Sequence, residues 1–80
     1  MLNKHTIKFV RHILGMEQTE LAKTSGISKS MVAAIENGSR SLMQETERKI
    51  RKGYGISDEL LQRILALYRD IQFERHNRSS

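Results

Sequence analysis

The sequence predicts an all-α protein, a compact domain of five helices joined by tight connections. Proline is absent from its 80 residues, and the β-branched residues do not alternate with polar ones as they would in strands. Apolar residues recur instead at intervals of three and four, the period of a helix packed on a core. A chain of this length buries one small core, so we expect one domain, or one domain plus an arm, with a stability of about 5 kcal/mol.

The first two predicted helices end at glycines. A helix over residues 4–14 stops at Gly15, and a shorter one stops at Gly26, since glycine readily adopts the left-handed conformation that follows many helices. The apolar positions that give these two helices their period are Ile7, Val10, Leu14, Leu21 and Ala22.

The third predicted helix has the clearest start and stop signals. Ser28 is placed to cap its N-terminus, and Asn37 followed by Gly38 ends it. Its buried side is predicted from four apolar residues, Ile27, Met31, Val32 and Ile35.

The last two predicted helices differ in character. The fourth, within residues 43–55, has a narrow apolar stripe and depends on its neighbours for stability. The fifth, over residues 57–76, begins with Ser57 as a cap and has acidic residues at its positive end. We therefore divide the chain into a core of residues 1–56, an extended C-terminal helix of residues 57–76 and a polar tail of residues 77–80.

The charge of the chain is unevenly distributed. Fourteen Lys and Arg against nine Asp and Glu give a net charge of +5, which indicates an anionic partner. Residues 1–56 hold ten basic and five acidic side chains, whereas residues 57–80 hold four of each. A polyanion is therefore expected to bind the first two thirds of the chain. The basic residues of the fourth helix either contact phosphate or form a solvated face; they are Arg48, Lys49, Arg51 and Lys52.

Residues 18–38 carry a helix-turn-helix pattern. They contain "Q-x-x-L-A" at 18–22, "G-I-S" at 26–28 and "I-E-N-G" at 35–38. A small residue where two helices cross, a glycine in the turn and apolar residues between the helices are what this motif requires. Over about residues 7–57 the chain resembles the XRE (Cro/CI-type) helix-turn-helix family, which includes phage repressors, with the motif itself at about 17–37.

The resemblance implies a fold like that of lambda repressor, bound to double-stranded operator DNA as a two-fold dimer with the helix of residues 28–37 in the major groove. The residues that it assigns to base edges are Ser28, Lys29, Ser30, Ala33 and Ala34. Those that it assigns to DNA phosphates are Gln18, Asn37, Ser39 and Arg40. It also implies a structural ion pair between the first and third helices, here Arg11 with Glu36, which would be costly to break from one side.

The predicted reading face is sparse. Lys29 can donate to guanine, but the two alanines offer only methyl groups to thymine. No Arg, Asn or Gln is present there to make a bidentate base contact, which is worth about 1–3 kcal/mol of discrimination. We therefore expect modest direct readout supplemented by DNA shape. Alternatively, Lys29 is an ordinary solvated lysine and the alanines are simple helix formers. In the same way, Gln18 is merely a helix-start residue and Arg40 an exposed loop charge if neither contacts a phosphate.

Two other positions depart from the family pattern. Glu17 stands where relatives usually have a Ser or Thr cap, and Ser25 replaces a usual aliphatic residue, which thins the core beneath the turn.

The C-terminal helix has more apolar surface than one small domain needs. We expect it to pair with a second copy of the chain through a stripe of Leu61, Ile64, Leu67, Tyr68 and Ile71. The alternative is that it folds back over the core beside the polar fourth helix, and both arrangements can hold at once.

Several classes of function are not indicated. His5, His12 and His76 are far apart in sequence and lack Cys or carboxylate neighbours, so no metal site is expected. No nucleophile triad, phosphate-binding loop or carboxylate pair indicates an enzyme, and no cofactor is expected. No run reaches the roughly 18 apolar residues of a membrane span, and cysteine is absent, so we expect a cytoplasmic protein.

The leading hypothesis is a sequence-specific DNA-binding transcriptional regulator, a small phage- or plasmid-type repressor controlled by dimer affinity, protein level or a regulatory protein partner. The alternative is a protein-interaction module, antitoxin-like or an anti-regulator, that uses the helix-turn-helix as a scaffold. A third hypothesis is non-specific coating of DNA or RNA.

Overall fold

In a computed structural model, residues 2–79 are described, and within them the chain forms five α-helices and no strand. The helices are α1 (Lys4–Ile13), α2 (Gln18–Ser25), α3 (Lys29–Glu36), α4 (Gln44–Gly53) and α5 (Asp58–Ser79). The predicted all-α, five-helix class is confirmed. The main difference is that α5 continues three residues beyond its predicted end at 76, into the stretch that the sequence analysis treated as a polar tail; the last residue of that tail lies outside the described residues.

The N-terminus of α1 is fixed by a capping box that the sequence analysis did not identify. The Asn3 side chain accepts hydrogen bonds from the backbone N–H groups of His5 and Thr6, at 2.9 and 3.0 Å. In return, Thr6 Oγ1 accepts one from the Asn3 N–H at 2.8 Å. This reciprocal arrangement satisfies backbone donors that a helix start otherwise leaves open.

The connection between α2 and α3 has the predicted conformation. Gly26 ends α2 with φ of 73°, in the left-handed region that favours glycine. Ser28 Oγ then accepts a hydrogen bond from the Met31 N–H at 3.0 Å and caps α3. Glu17, at the start of α2, makes no side-chain capping bond. The turn between α2 and α3 is thus formed by Gly26, which ends α2, and Ser28, which caps α3.

The core lies between all five helices. Its fully or almost fully buried hydrophobic residues are Leu2, Ile7, Val10, Leu21, Ala22, Val32, Ile35, Ile50, Tyr54, Leu61, Ile64 and Leu65. Tyr54 joins this core through its hydroxyl, which donates to the carbonyl of Ile7 at 3.1 Å. Burial and the nearby charge of Glu36 raise the pKa of Tyr54, so the phenol remains a neutral donor at physiological pH.

A close crossing of α2 and α4 depends on two small residues. A side chain at Gly53 would overlap Ser25 Oγ, and its Cβ would lie 3.0 Å from Ser25 Cβ and 3.1 Å from Ser25 Cα. The Ser25 hydroxyl is buried and has no hydrogen-bond partner. The thinning of the core expected at Ser25 is thus matched by glycine on the facing helix, so the two backbones approach each other more closely.

The first half of α5 belongs to the core of the single chain. Leu61 is 1% exposed and Ile64 is 8% exposed. The ring of Tyr68 makes an edge-to-face contact with the ring of Phe9 on α1, with 5.1 Å between the ring centroids. The expectation that Leu61 faces a second chain is therefore corrected, because its side chain is already covered within the monomer, whereas Ile64 keeps a small exposed fraction at the border with the core. The alternative, that α5 packs back on the core, holds for this half of the helix.

The apolar residues that α5 leaves exposed are a different set, Leu60, Leu67, Ile71 and Phe73. From Ile71 to Arg78 every residue is exposed, so the end of the helix projects from the domain. None of the described helices is long and apolar enough to cross a membrane.

Candidate nucleic-acid interface

The two sides of α3 have opposite character. Val32 and Ile35 are buried on one side, 1% and 2% exposed, and anchor the helix to the core. The other side is open to solvent at Lys29 and Ser30 and half-buried at Ala33 and Ala34. The helix is thus held from behind by its apolar residues, with its predicted reading face turned outward.

The predicted base-reading residues therefore lie on the outward side of α3, with Ser28, Lys29 and Ser30 exposed and the two alanines half-buried. The Ser28 hydroxyl is already an acceptor in the cap of α3, which leaves its O–H proton to donate elsewhere. Lys29 makes no ion pair among the described residues, so its ammonium group is open to solvent and to a ligand. Next to these polar groups, Ala33 and Ala34 contribute only methyl groups to the surface.

Behind this surface, α3 is tied to α1 by the predicted ion pair. Arg11 Nε and Nη2 donate to Glu36 Oε2 and Oε1 at 2.8 and 2.9 Å, and Arg11 Nη1 donates to the Met16 carbonyl at 2.9 Å. The two side chains are 8% and 4% exposed. This bidentate pair is confirmed, and it fixes the end of the exposed helix to the first helix and to the connection that follows it.

Gln18 also joins this pair. Its Nε2 donates to Glu36 Oε1 at 3.1 Å, so the side chain predicted to meet a phosphate is held at the start of α2 by Glu36. An amide nitrogen carries two protons, which leaves one for a second acceptor. Burial by itself would raise the pKa of Glu36, but hydrogen bonds from Arg11 and Gln18 outweigh it and hold the pKa below the ordinary value. Glu36 is thus ionised at neutral pH.

The loop after α3 contains the other predicted phosphate contacts. Asn37 Oδ1 accepts from the Ser39 N–H at 2.8 Å, and Ser39 Oγ donates to the Ala34 carbonyl at 3.3 Å. The Arg40 N–H donates to the same carbonyl at 3.2 Å. Asn37 and Ser39 therefore help to end α3, and the Asn37 amide N–H groups and the Arg40 guanidinium are the donors left for a ligand.

One cation beside this loop was not predicted from the sequence. Lys4, in the first turn of α1, extends over Gly38, where a built Cβ would lie 3.0 Å from Lys4 Nζ and 3.3 Å from its Cδ. Lys4, Gly38 and Arg40 line the same open depression of about 310 Å³. Sequence spacing gives no signal for this contact, because Lys4 and the loop are more than thirty positions apart.

Two further expectations from the sequence concern the basic residues of α4 and the metal site that was not expected. Arg48 and Arg51 of α4 line two open depressions, one with Gln44 and Glu47 and the other with Lys52, Ile56 and Asp58. Arg51 is 3.7 Å from Glu47, a loose ion pair on one helix. Within residues 2–79, no three His, Asp or Glu side chains are grouped closely enough to hold a metal ion.

Two short helices that cross at a glycine turn, with an outward α3 beside basic side chains, define a helix-turn-helix DNA-binding domain. The helix-turn-helix family model matches residues 7–61, and the chain belongs to this family, of the XRE type. It is a DNA-binding transcriptional regulator, and the family is not one of enzymes.

Solved structures agree with this assignment. The chain is similar to the wild-type restriction-modification controller protein C.Esp1396I, at 32% identity and a TM-score of 0.69, over 79% of this chain and 83% of the other. A single-residue variant of the same controller matches at 31% identity and a TM-score of 0.70, over 81% and 87% of the two chains. A comparison with curated proteins gave no match.

Proposed function

We propose that this chain is a cytoplasmic, sequence-specific repressor that binds double-stranded operator DNA as a homodimer, with residues 28–37 in the major groove. The observation that carries the proposal is the outward face of α3, which is held rigidly by the buried Arg11–Glu36 pair. An operator-bound repressor blocks transcription by occupancy alone, so no catalytic group is required.

The role of the individual residues follows from what each can donate. Lys29 and Ser30, exposed at the start of α3, are proposed to reach base edges, and Ala33 and Ala34 to approach thymine methyl groups. Gln18, Asn37, Ser39 and Arg40 are proposed to hold the flanking phosphates. For Ser39 this requires its hydroxyl to leave the Ala34 carbonyl, so we expect its contribution to be the smallest of the four.

The exposed stripe of α5 supports the homodimer. Leu60, Ile64, Leu67 and Ile71 follow one another at spacings of four, three and four, as in the seam of two paired helices. Leu60 and Leu67 are 40% and 46% exposed in the single chain, and Ile64 lies at the border with the core. We therefore propose this stripe as the interface. Leu60 replaces the buried Leu61 in it, and Tyr68 is not included because its ring packs against Phe9.

The structural neighbours suggest a class of target. Their name describes control of a restriction-modification system. We therefore propose that the operators of this chain control the genes of such a system, or those of a phage or plasmid.

The alternative function is a protein-interaction module, antitoxin-like or an anti-regulator, and the observation in its favour is the small reading face. One experiment separates the two: selection of binding sites from a randomised double-stranded DNA pool at near-physiological salt. The operator hypothesis expects an enriched inverted repeat, with half-sites about one helical turn apart. If the folded protein enriches no site, the scaffold hypothesis takes its place.

A further inference from the structure

The depression beside the end of α3 brings together parts of the chain that are distant in sequence. Its lining comes from the start of the chain, from α3 and from the loop that follows α3, and includes Lys4, Gly38 and Arg40. Two of these residues are cations, and one is a glycine whose missing side chain leaves room for the Lys4 stem.

The position of Lys4 depends on Gly38. A side chain at position 38 would meet Lys4 at Nζ, Cδ and Cε, within 3.0–3.7 Å, so the lysine lies directly against the loop. The loop itself is fixed by the bonds of Asn37, Ser39 and Arg40 that end α3. Lys4 is thus held close to the proposed phosphate contacts.

The two cations are not neutralised within the described part of the chain. Neither Lys4 nor Arg40 forms an ion pair in residues 2–79, and the first turn of α1 contains no acidic residue. Glu47 is the carboxylate that reaches this end of α1, where it accepts from the Leu2 N–H at 3.0 Å and lies beside Arg51. A ligand at the depression therefore meets two positive charges that lack a partner.

We propose that Lys4 is a DNA phosphate contact, acting with Arg40 on the backbone that flanks the bases under α3. This inference rests on the proposed operator binding and adds to it a residue from outside the helix-turn-helix. A phosphate contact by Lys4 suits a sparse reading face, because phosphate contacts increase affinity without requiring any particular base.

The test is the salt dependence of DNA binding by Lys4→Gln, with Arg69→Gln as the control. Both substitutions remove one exposed positive charge, but Arg69 lies on α5, outside the helix-turn-helix and outside the lining of this depression. Affinities are measured by fluorescence anisotropy on the selected site and on a scrambled duplex over a range of salt concentrations. Circular dichroism melts check that each variant is folded.

We expect Lys4→Gln to weaken binding to both duplexes by the same factor and to reduce the slope of log affinity against log salt by about 0.9, the value for one lost phosphate contact. Arg69→Gln should match the wild type. A wild-type slope in Lys4→Gln would overturn the inference while leaving operator binding intact, as would a changed base preference, which would indicate a base contact. If the wild type binds no duplex, both the inference and the operator proposal are wrong.

Discussion

Arg11 and Glu36, 25 positions apart in sequence, form a bidentate ion pair that joins the first helix to the end of the third. Both side chains are almost entirely buried, and the third guanidinium nitrogen donates to the Met16 carbonyl. The pair therefore fixes the orientation of α3 relative to α1 and to the start of the helix-turn-helix. The exposed face of α3 is thereby kept in one position relative to α1.

Removing one side of this pair should be strongly destabilising. We expect Glu36→Ala to lower the free energy of unfolding by about 3–5 kcal/mol, because Arg11 would remain buried with an uncompensated charge. That loss is comparable to the stability expected for a domain of this size. Urea unfolding followed by circular dichroism measures it.

The control is to replace both partners with apolar residues of similar volume, Arg11→Met with Glu36→Leu. This double variant should recover much of the lost stability, since no unpaired charge is left in the interior. A single variant as stable as the wild type would mean that the pair contributes nothing to the fold.

The same pair makes stability depend on pH. The pKa of Glu36 is lower in the folded protein than in the unfolded chain, so the unfolded chain binds the proton first as pH falls. The contribution of ionised Glu36 to the free energy of unfolding is complete above the pKa of an unfolded-chain glutamate, about 4.3. It is lost as pH falls through the lower pKa of the folded protein. The difference in unfolding free energy between the wild type and Glu36→Gln, measured from pH 7 to pH 3, should be constant at first and then narrow. A difference that widened toward pH 3 would have the wrong sign.

The crossing of α2 and α4 should reject any side chain at Gly53. Alanine in a helix is ordinarily favoured over glycine by about 0.5–1 kcal/mol. We expect Gly53→Ala to be destabilising instead, by about 1–3 kcal/mol, because the added Cβ overlaps Ser25 Oγ. Thermal and urea unfolding give the sign of the effect directly.

Ser25→Ala provides the partner for a double-mutant cycle. Alone it should be neutral or slightly stabilising, because it removes a buried hydroxyl with no hydrogen-bond partner. In its presence Gly53→Ala should cost less, since one of the overlapping atoms is gone. Strictly additive effects would show that the two residues do not meet.

The exposed stripe of α5 should control association. We expect Leu67→Lys to shift the protein from dimer to monomer in sedimentation equilibrium, because it places a charge in the proposed seam. Phe73→Lys is the matched control, since Phe73 is more exposed, at 67%, and lies outside the stripe. Equal molecular masses for the wild type and Leu67→Lys at every concentration would show that this stripe is not a dimer interface.

Much of the fold was predictable because it depends on local signals. Gly26 and Ser28 specify the turn before α3, and the spacing of apolar residues specifies which helix faces are buried. The Arg11–Glu36 pair was predictable only through the family resemblance, because nothing local connects residues so far apart.

What the sequence did not predict depends on how the helices meet. Leu61 and Leu60 are neighbours on one apolar helix, and only packing decides that the first is buried and the second exposed. Likewise, the complementarity of Ser25 and Gly53 and the position of Lys4 over Gly38 are contacts between distant segments. The candidate site was therefore predictable along α3 itself but not where α1 approaches it.

The most direct test of the account is the base preference of Lys29→Ala. Affinities of the wild type and the variant are measured on the selected operator and on its single base-pair substitutions, at one fixed salt concentration. We expect the variant to bind the operator more weakly and to lose discrimination at one base pair of each half-site, by about 1 kcal/mol, while keeping its preferences elsewhere. Unchanged affinity and unchanged preference at every base pair would contradict the docking of α3 in the major groove.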